Sequence, residues 1–231
     1  ALEQTQNVDT IVFDKTGTLT EGQPSVYKVI DNTDNQQFGT LVKSLEVQSE
    51  HPLSQAITDY YQDAQNLIVD QYQTHPGNGI SGYINGQFIK IGSQSFIQPD
   101  LNDWDEQLEA EIKNLQHQGS TVVLASIDNQ FAGLIALRDE PKTSAKALIE
   151  RLNPNYDIVM LSGDSQGTAE AIAEELGINR VIAGVKPDHK AEEITKLQDE
   201  GKNVMMVGDG INDAPALAKS NIGLAMGTGS D

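Results

Sequence analysis

Residues 10–20 read Thr-Ile-Val-Phe-Asp-Lys-Thr-Gly-Thr-Leu-Thr. Thr10–Phe13 has the length and apolar character of a short buried strand, and it stops at Asp14. Gly17 breaks the pattern. Strands able to pair with this one do not appear until after about residue 138. From Asp139 onward the chain alternates helix and strand: helix 141–152, strand 157–161, helix 166–176 closed by Gly177, and a short strand near 180–183. Helix 187–200 closed by Gly201, strand 202–207, a short helix from 214 and strand 221–226 complete the series. Such alternation predicts a parallel sheet with helices on both faces. A first strand separated from its partners predicts that another domain is inserted between them.

The intervening segment has a different rhythm. Val26–Ile30 reads as a strand, Gln36–Val47 as a helix, and a second helix starts after His51 with Pro52 in its first turn and runs to about Ala64. Ile80–Ile84 and Gln87–Ile91 flank Asn85-Gly86, a dipeptide suited to a type I′ hairpin. Residues 103–118 form a polar helix, and Thr121–Ile127 with Phe131–Leu137 form a second hairpin around Asp128-Asn129. The expected division is therefore 1–24 and 136–231 for an α/β parallel-sheet domain, with 25–135 as an inserted α+β domain.

Composition narrows the functions available. With 34 acidic against 15 basic residues, the net charge of −19 opposes binding to nucleic acid or to an anionic membrane surface. The absence of cysteine excludes disulfides and thiolate metal sites. No apolar run approaches the ~18 residues of a membrane span. The opening ALEQTQNVDT lacks the basic and apolar regions of a signal peptide. A start without Met and an abrupt stop at Gly229-Ser230-Asp231 predict a piece of a longer protein.

In open parallel sheets, ligands bind at the carboxyl ends of strands. Four groups fall at such places: Asp14-Lys15-Thr16-Gly17, Ser162-Gly163-Asp164, Lys186-Pro187 with Lys190, and Gly208-Asp209-Gly210-Ile211-Asn212-Asp213. A carboxylate can attack phosphorus and hold the phosphoryl group as an acyl phosphate. Attack by one anion on another needs neutralisation, which Mg²⁺ supplies best because it takes oxygen ligands and bridges carboxylate to phosphate. Lys190 can add a point charge, Ser162 a hydrogen bond, and the amides of the Thr16-Gly17 turn further donors. Taken singly, each group has an ordinary structural explanation as a turn or a solvated charge. Their conjunction, in this order, does not.

DKTGTLT at 14–20 followed by GDGINDAPAL at 208–217 resembles the phosphorylation domain of P-type ATPases, within the haloacid dehalogenase superfamily. Ser49-Glu50-His51-Pro52-Leu53 and Gly77-Asn78-Gly79-Ile80-Ser81-Gly82 resemble the nucleotide-domain motifs of its heavy-metal branch. The resemblance covers nearly the whole chain. It implies that Asp14 is the aspartyl-phosphate nucleophile and that Thr16 helps hold the phosphoryl group and, through its backbone, Mg²⁺. It implies that Asp209 is the main Mg²⁺ ligand, that Asn212 and Asp213 support phosphate and metal, and that Lys190 neutralises charge. Lys15 and Ser162-Gly163-Asp164 join the catalytic set, with serine where the family usually has threonine. Asp139 and Lys142 match an Asp-x-x-Lys hinge segment.

Position 16 bears on the reaction. Many phosphatases of the superfamily carry a second Asp two residues after the nucleophile, as general acid and base. Thr16 cannot act as a base near neutral pH. A persistent phosphoenzyme suits a pump. In P-type ATPases the hydrolytic glutamate comes from an actuator domain, and no Thr-Gly-Glu for it occurs here. The implied partners are therefore ATP and the transmembrane and actuator domains of the same parent chain, with this portion in the cytoplasm and monomeric. Monovalent copper is the implied cargo, because Glu50-His51-Pro52-Leu53 looks copper-pump-like; zinc or cadmium transport, a free-standing phosphatase and a nucleotide-sensing module stay open.

For ATP, the resemblance implies Glu50 and His51 at the adenine and Gly77, Gly79 and Ile80 along the nucleotide, with Gly92-Ser93 standing where the family has a Gly-Asn pair. Residues 77–82 formally fit G-x-G-x-x-G, but a hairpin follows instead of a helix, so the dinucleotide-fold reading fails. Glycines there would let backbone approach a nucleotide closely. His75, ahead of Pro76 in an expected loop, reads as a surface residue.

Overall fold

A computed structural model describes residues 7–226 of the chain. The terminal stretches that figure in the signal-peptide and chain-end readings, 1–6 and 227–231, lie outside the described residues. The chain divides into two compact units, Ala1–Gln23 with Asp139–Asp231, and Pro24–Arg138. The joins therefore fall at 23/24 and 138/139, where sequence had suggested 24/25 and 135/136.

In the first unit, β1 (Thr10–Asp14), β8 (Asp157–Leu161), β9 (Arg180–Ile182), β10 (Val204–Gly208) and β11 (Ile222–Ala225) form a five-stranded sheet in the order β11-β10-β1-β8-β9. Every ladder in it is parallel. β1 is central and all five of its residues are buried. That explains its unbroken apolar reading, because a strand covered on both faces has no polar side to show. Its side chains serve two cores in alternation. Ile11 and Phe13 join α5 (Ala145–Leu152) and α6 (Gln166–Leu176) on one face. Val12 joins Ile194 and Leu197 of α7 (Lys190–Asp199) and Ala216 of α8 (Ala214–Lys219) on the other. The register sets Asp14 beside Leu161, one residue before Ser162.

The second unit carries a six-stranded antiparallel-rich sheet, β2-β7-β6-β5-β4-β3. Its strands are β2 (Thr20–Asp31), β3 (Asp70–His75), β4 (Gly79–Ile84), β5 (Gln87–Gly92), β6 (Thr121–Ile127) and β7 (Gln130–Pro141). Helices α1 (Phe38–Glu46) and α2 (Pro52–Tyr60) cover one face, and α3 (Gln94–Ile97) and α4 (Glu106–His117) cover the other. Both hairpin turns have left-handed residues at both central positions, Asn85-Gly86 (φ 50° and 80°) and Asp128-Asn129 (φ 48° and 65°). That is the type I′ geometry whose twist matches the strands.

Several boundaries depart from the sequence reading. β2 begins at Thr20 and β7 runs to Pro141, so the expected strand 26–30 is longer and the helix expected at 141 begins at Ala145. The cause is a contact between distant parts of the chain: Asp139 holds β7 against the start of β2, its Oδ2 accepting from the Thr20 hydroxyl (2.5 Å) and its Oδ1 from the Gly22 N–H (2.7 Å). The second helix ends at Tyr60, short of Ala64, and Pro187–His189 forms a separate 3₁₀ turn before α7. β3 and α3 were not expected at all. β3 is a sheet edge whose DQYQTH has no fully buried side chain, so it shows none of the alternation by which strands are recognised.

Candidate functional site

Asp14 ends β1 and is 4% exposed. The residues after it make a tight loop in which Gly17 takes φ 76°. Thr20 closes that loop: its hydroxyl receives the Gly17 N–H (3.2 Å), and its backbone N–H bonds Lys15 O. Lys190, the first residue of α7, places its ammonium 2.7 Å from Asp14 Oδ2. Burial pushes the Asp14 carboxyl above the ordinary aspartate range. Lys190 works against that rise, and Asp213 adds to it by charge and hydrogen bonding.

Asp213, 1% exposed, anchors the loop after β10: its Oδ1 accepts from the Gly210 N–H (2.8 Å) and its Oδ2 from the Asp209 N–H (3.1 Å). Asp209 Oδ1 accepts from the Ile211 N–H (2.9 Å), and its Oδ2 lies beside Gly17. The structure thus brings Asp14, Lys190, Asp209 and Asp213 to one end of the sheet. Ser162 is 1% exposed, and its Oγ accepts from the Asp164 N–H (3.0 Å).

Lys15, Thr16, Asn212 and Gly163 differ in their surroundings. Lys15 is buried, and its ammonium is 2.8 Å from Asp164 Oδ2, so the pair ties the loop after β1 to the loop after β8 and takes up that charge. Thr16 is exposed and extended (φ −70°, ψ 123°). Asn212 is exposed, with no side-chain partner among the described residues. Gly163 is exposed in the loop between Ser162 and Asp164.

The donor set suits Mg²⁺. Two buried carboxyls, Asp14 and Asp213, interact closely while a single ammonium faces Asp14, an excess of negative charge that a small hard cation would balance. No cluster of three or more His, Cys, Asp or Glu side chains is preassembled to hold a metal among the described residues. Mg²⁺ does not need one, since it takes one or two carboxylates and completes its shell with water and phosphate.

The second unit holds a cavity of about 510 Å³ lined by every residue expected to bind nucleotide: Glu50, His51, Gly77, Gly79, Ile80, Gly92 and Ser93. His51 caps α2, its Nδ1 accepting from the Leu53 N–H (3.1 Å) with Pro52 following it in the first turn. Gly79 and Gly92 face each other across β4 and β5. A Cβ on Gly79 would overlap the Ile91 carbonyl, and one on Gly92 the Asn78 carbonyl. Strand packing by itself therefore requires glycine at these two positions, and both also line the cavity.

Two lining residues escaped the sequence reading. His75 is half-buried in the wall, not on the surface. Glu46 is 5% exposed at the end of α1, where burial pushes its carboxyl up and a hydrogen bond from Ser54 pulls it back less. A glutamate at a helix end looks like solvated charge in sequence. Its position four residues before Glu50 was the available signal, but only the packing of α1 against α2 shows that it turns inward.

Residues 8–221 match the haloacid dehalogenase-like hydrolase family. Over its full length the chain is 47% identical to the copper-exporting P-type ATPase of Staphylococcus haemolyticus, covering 29% of that protein. It is 40% identical to the probable copper-transporting ATPase PacS of Synechococcus elongatus, covering 32%. It thus spans about three-tenths of the length of these relatives. All of the chain superposes on 38% of a zinc-transporting PIB-type ATPase in the E2·Pi state, with a TM-score of 0.86 and 36% identity. A catalytic domain of the CPx-ATPase CopB-B, from a description of its conformational changes on nucleotide binding, matches over 97% of this chain and 82% of its own, with a TM-score of 0.70 and 28% identity.

Proposed function

Because the chain belongs to the haloacid dehalogenase-like hydrolases, we propose that it is the ATP-binding, autophosphorylating catalytic portion of a copper-exporting P-type ATPase. The observation that carries the reading is Asp14: a buried carboxyl at the end of the central parallel strand, 2.7 Å from the Lys190 ammonium and beside Asp213. The identity of 47% to a copper exporter, against 36% for the zinc-transporting structure, supports copper as the cargo.

In the proposed step an Asp14 carboxylate oxygen forms a bond to the γ-phosphorus of ATP. The bond from that phosphorus to the β–γ bridging oxygen breaks, ADP leaves with the electron pair, and Asp14 carries an acyl phosphate. Lys190 keeps the carboxylate ionised against its burial and offsets charge on the incoming phosphoryl group. Asp14, Asp213, Asp209 and the Thr16 backbone would hold Mg²⁺, which supplies charge neutralisation when bound. The Ser162 hydroxyl and the amides of the Thr16-Gly17 turn donate to phosphoryl oxygens. Lys15 acts through Asp164 by holding two loops in register. Thr16, exposed where a general base would sit, leaves the acyl phosphate without an activated water. The transmembrane and actuator parts of the parent chain are the proposed partners that complete the cycle, with this portion on the cytoplasmic side. No helix among the described residues is long and apolar enough to cross a membrane.

In the second unit the cavity takes the base, between its buried floor of Glu46, Ser54, Ile57 and Ile80 and the Glu50 and His51 side chains at its rim. Incubation with γ-labelled ATP and Mg²⁺, an acid quench and peptide mapping test the reading. Acid-stable, hydroxylamine-labile label on the Asp14 peptide, absent in Asp14→Asn, is the expected result. Rapid turnover of a simple phosphate ester without a trapped phosphoenzyme would instead favour a phosphatase.

A further inference from the structure

The cavity in the second unit contains a second histidine that the reading above leaves unused. His75 is the last residue of β3, and its ring is held from two sides. Nε2 lies 2.9 Å from the hydroxyl of Ser81, a residue 3% exposed. The ring packs on Phe96, with centroids 4.8 Å apart and planes inclined by 43°. Phe96 in turn carries the Lys90 ammonium 4.3 Å from its centre, and that charge is committed to Asp100 (2.7 Å) and the Phe96 carbonyl (3.2 Å). A solvated loop histidine needs none of this support. With Nε2 engaged by Ser81, Nδ1 is the ring's remaining polar atom, and it has no partner among the described residues.

The cavity is graded in depth. Glu46, Ser54, Ile57, Ile80, Ile91 and Gly92 are its buried floor; Glu50, His51, Pro76, Gly77 and Asn78 are its exposed rim; His75 lies between. A flat base on the floor leaves its sugar and first phosphate at the level of His75. No Lys or Arg lines this cavity, and Glu46 and Glu50 are acidic. The two imidazoles are therefore the lining groups able to carry positive charge toward a phosphate. Nδ1 of His51 already accepts the helix-capping bond from Leu53 N–H, which requires that nitrogen to be unprotonated.

On the assumption that this cavity binds nucleotide, we propose that His75 is a specificity-determining contact, through Nδ1, to the sugar–first-phosphate portion of the ligand, and that it makes affinity for phosphorylated nucleotides proton-linked. Protonated, the ring has a donor on both nitrogens and can serve Ser81 and a phosphate oxygen together. The charged or titratable groups around it are few. Asp70 and Tyr72 share its strand. Lys90, paired with Asp100, stands behind Phe96. Glu46, Glu50 and His51 line the same cavity. His51 is the other imidazole among them, so it supplies the control.

The test is calorimetric titration of the chain with ADP and with adenosine, at about pH 6 and about pH 8, in wild type, His75→Gln and His51→Gln. Because the terminal phosphate of ADP titrates in every case, the readout is the ratio of wild-type to variant affinity at each pH. For His75→Gln the ADP ratio is expected to rise roughly threefold on going to the lower pH, the size of a partly exposed charge pair. The adenosine ratio should stay flat, and His51→Gln should leave the ADP ratio without that rise. A flat ADP ratio for His75→Gln, or an adenosine ratio that moves with the ADP ratio, would overturn the proposal and leave His75 as packing in the wall. Wild type that binds neither ADP nor adenosine would instead overturn the nucleotide reading of the cavity on which the proposal rests.

Discussion

In the proposed transfer Asp14 must be ionised to attack phosphorus, yet burial raises its pKa and Asp213 raises it further. Phosphoenzyme formation should therefore be lost on acidification at a pH above the ordinary aspartate range, when label is measured across a pH series. Lys190→Ala removes the group that lowers this pKa and the charge facing the phosphoryl group. Initial labelling should fall on the order of a hundredfold, about 2.7 kcal/mol, in quench-flow measurement. An unchanged rate would remove Lys190 from the mechanism. Glu46 has a raised pKa for a similar reason, burial first, with Ser54 opposing. Its contribution to stability is full below the ordinary glutamate pKa and is lost as pH rises through the folded value. Glu46→Gln keeps the shape without the charge. Denaturant unfolding should show the variant gaining on wild type as pH rises, and the reverse trend would mean that the ionised form is compensated within the fold.

Loops and strands obey the same packing limits. Gly208 ends β10 directly before the acidic loop, and a Cβ there would overlap the Asp213 carboxylate. Gly208→Ala should displace Asp213, costing about 1–3 kcal/mol of stability and most of the phosphorylation. Thermal unfolding and labelling measured together would separate this from a purely structural loss. The hairpins were readable because Asn-Gly and Asp-Asn tolerate the left-handed turn. β3 was not, because its strand character comes from pairing with β4 and not from its own side chains. The same element holds His75, so the missed strand and the misread histidine have one origin. The late start of α5 belongs here too. Pro141 ends β7 because Asp139 is held by Thr20 and Gly22, more than a hundred positions earlier in the chain.

Each unit has its own hydrophobic clusters: one on either face of the parallel sheet, and likewise on either face of the second sheet. The strands that carry the chain between the units, β2 and β7, are neighbours in the second sheet. Residues 24–138 expressed alone should therefore fold and keep nucleotide affinity while accepting no phosphoryl group, as judged by amide spectra, calorimetry and labelling. In the whole chain, a non-hydrolysable ATP analogue at 100 times its dissociation constant should stabilise the state that binds it by about 2.7 kcal/mol. A shift that persists in Asp14→Asn would place that binding energy apart from the Asp14 carboxylate.

The parallel-sheet unit, the insertion and the motifs at Asp14 and in the acidic loop were legible in the sequence. Hydrophobic period, turn chemistry and the two motifs are local properties, written in consecutive residues. The tertiary structure alone decided which charges meet. Lys190 reaches Asp14 across 176 positions of chain, Lys15 turns to Asp164, and Glu46 and His75 face into one cavity. No periodicity encodes such encounters, because they depend on how separate elements cross and pack, and a side chain's charge is silent about its partner until burial removes the water that would otherwise answer it.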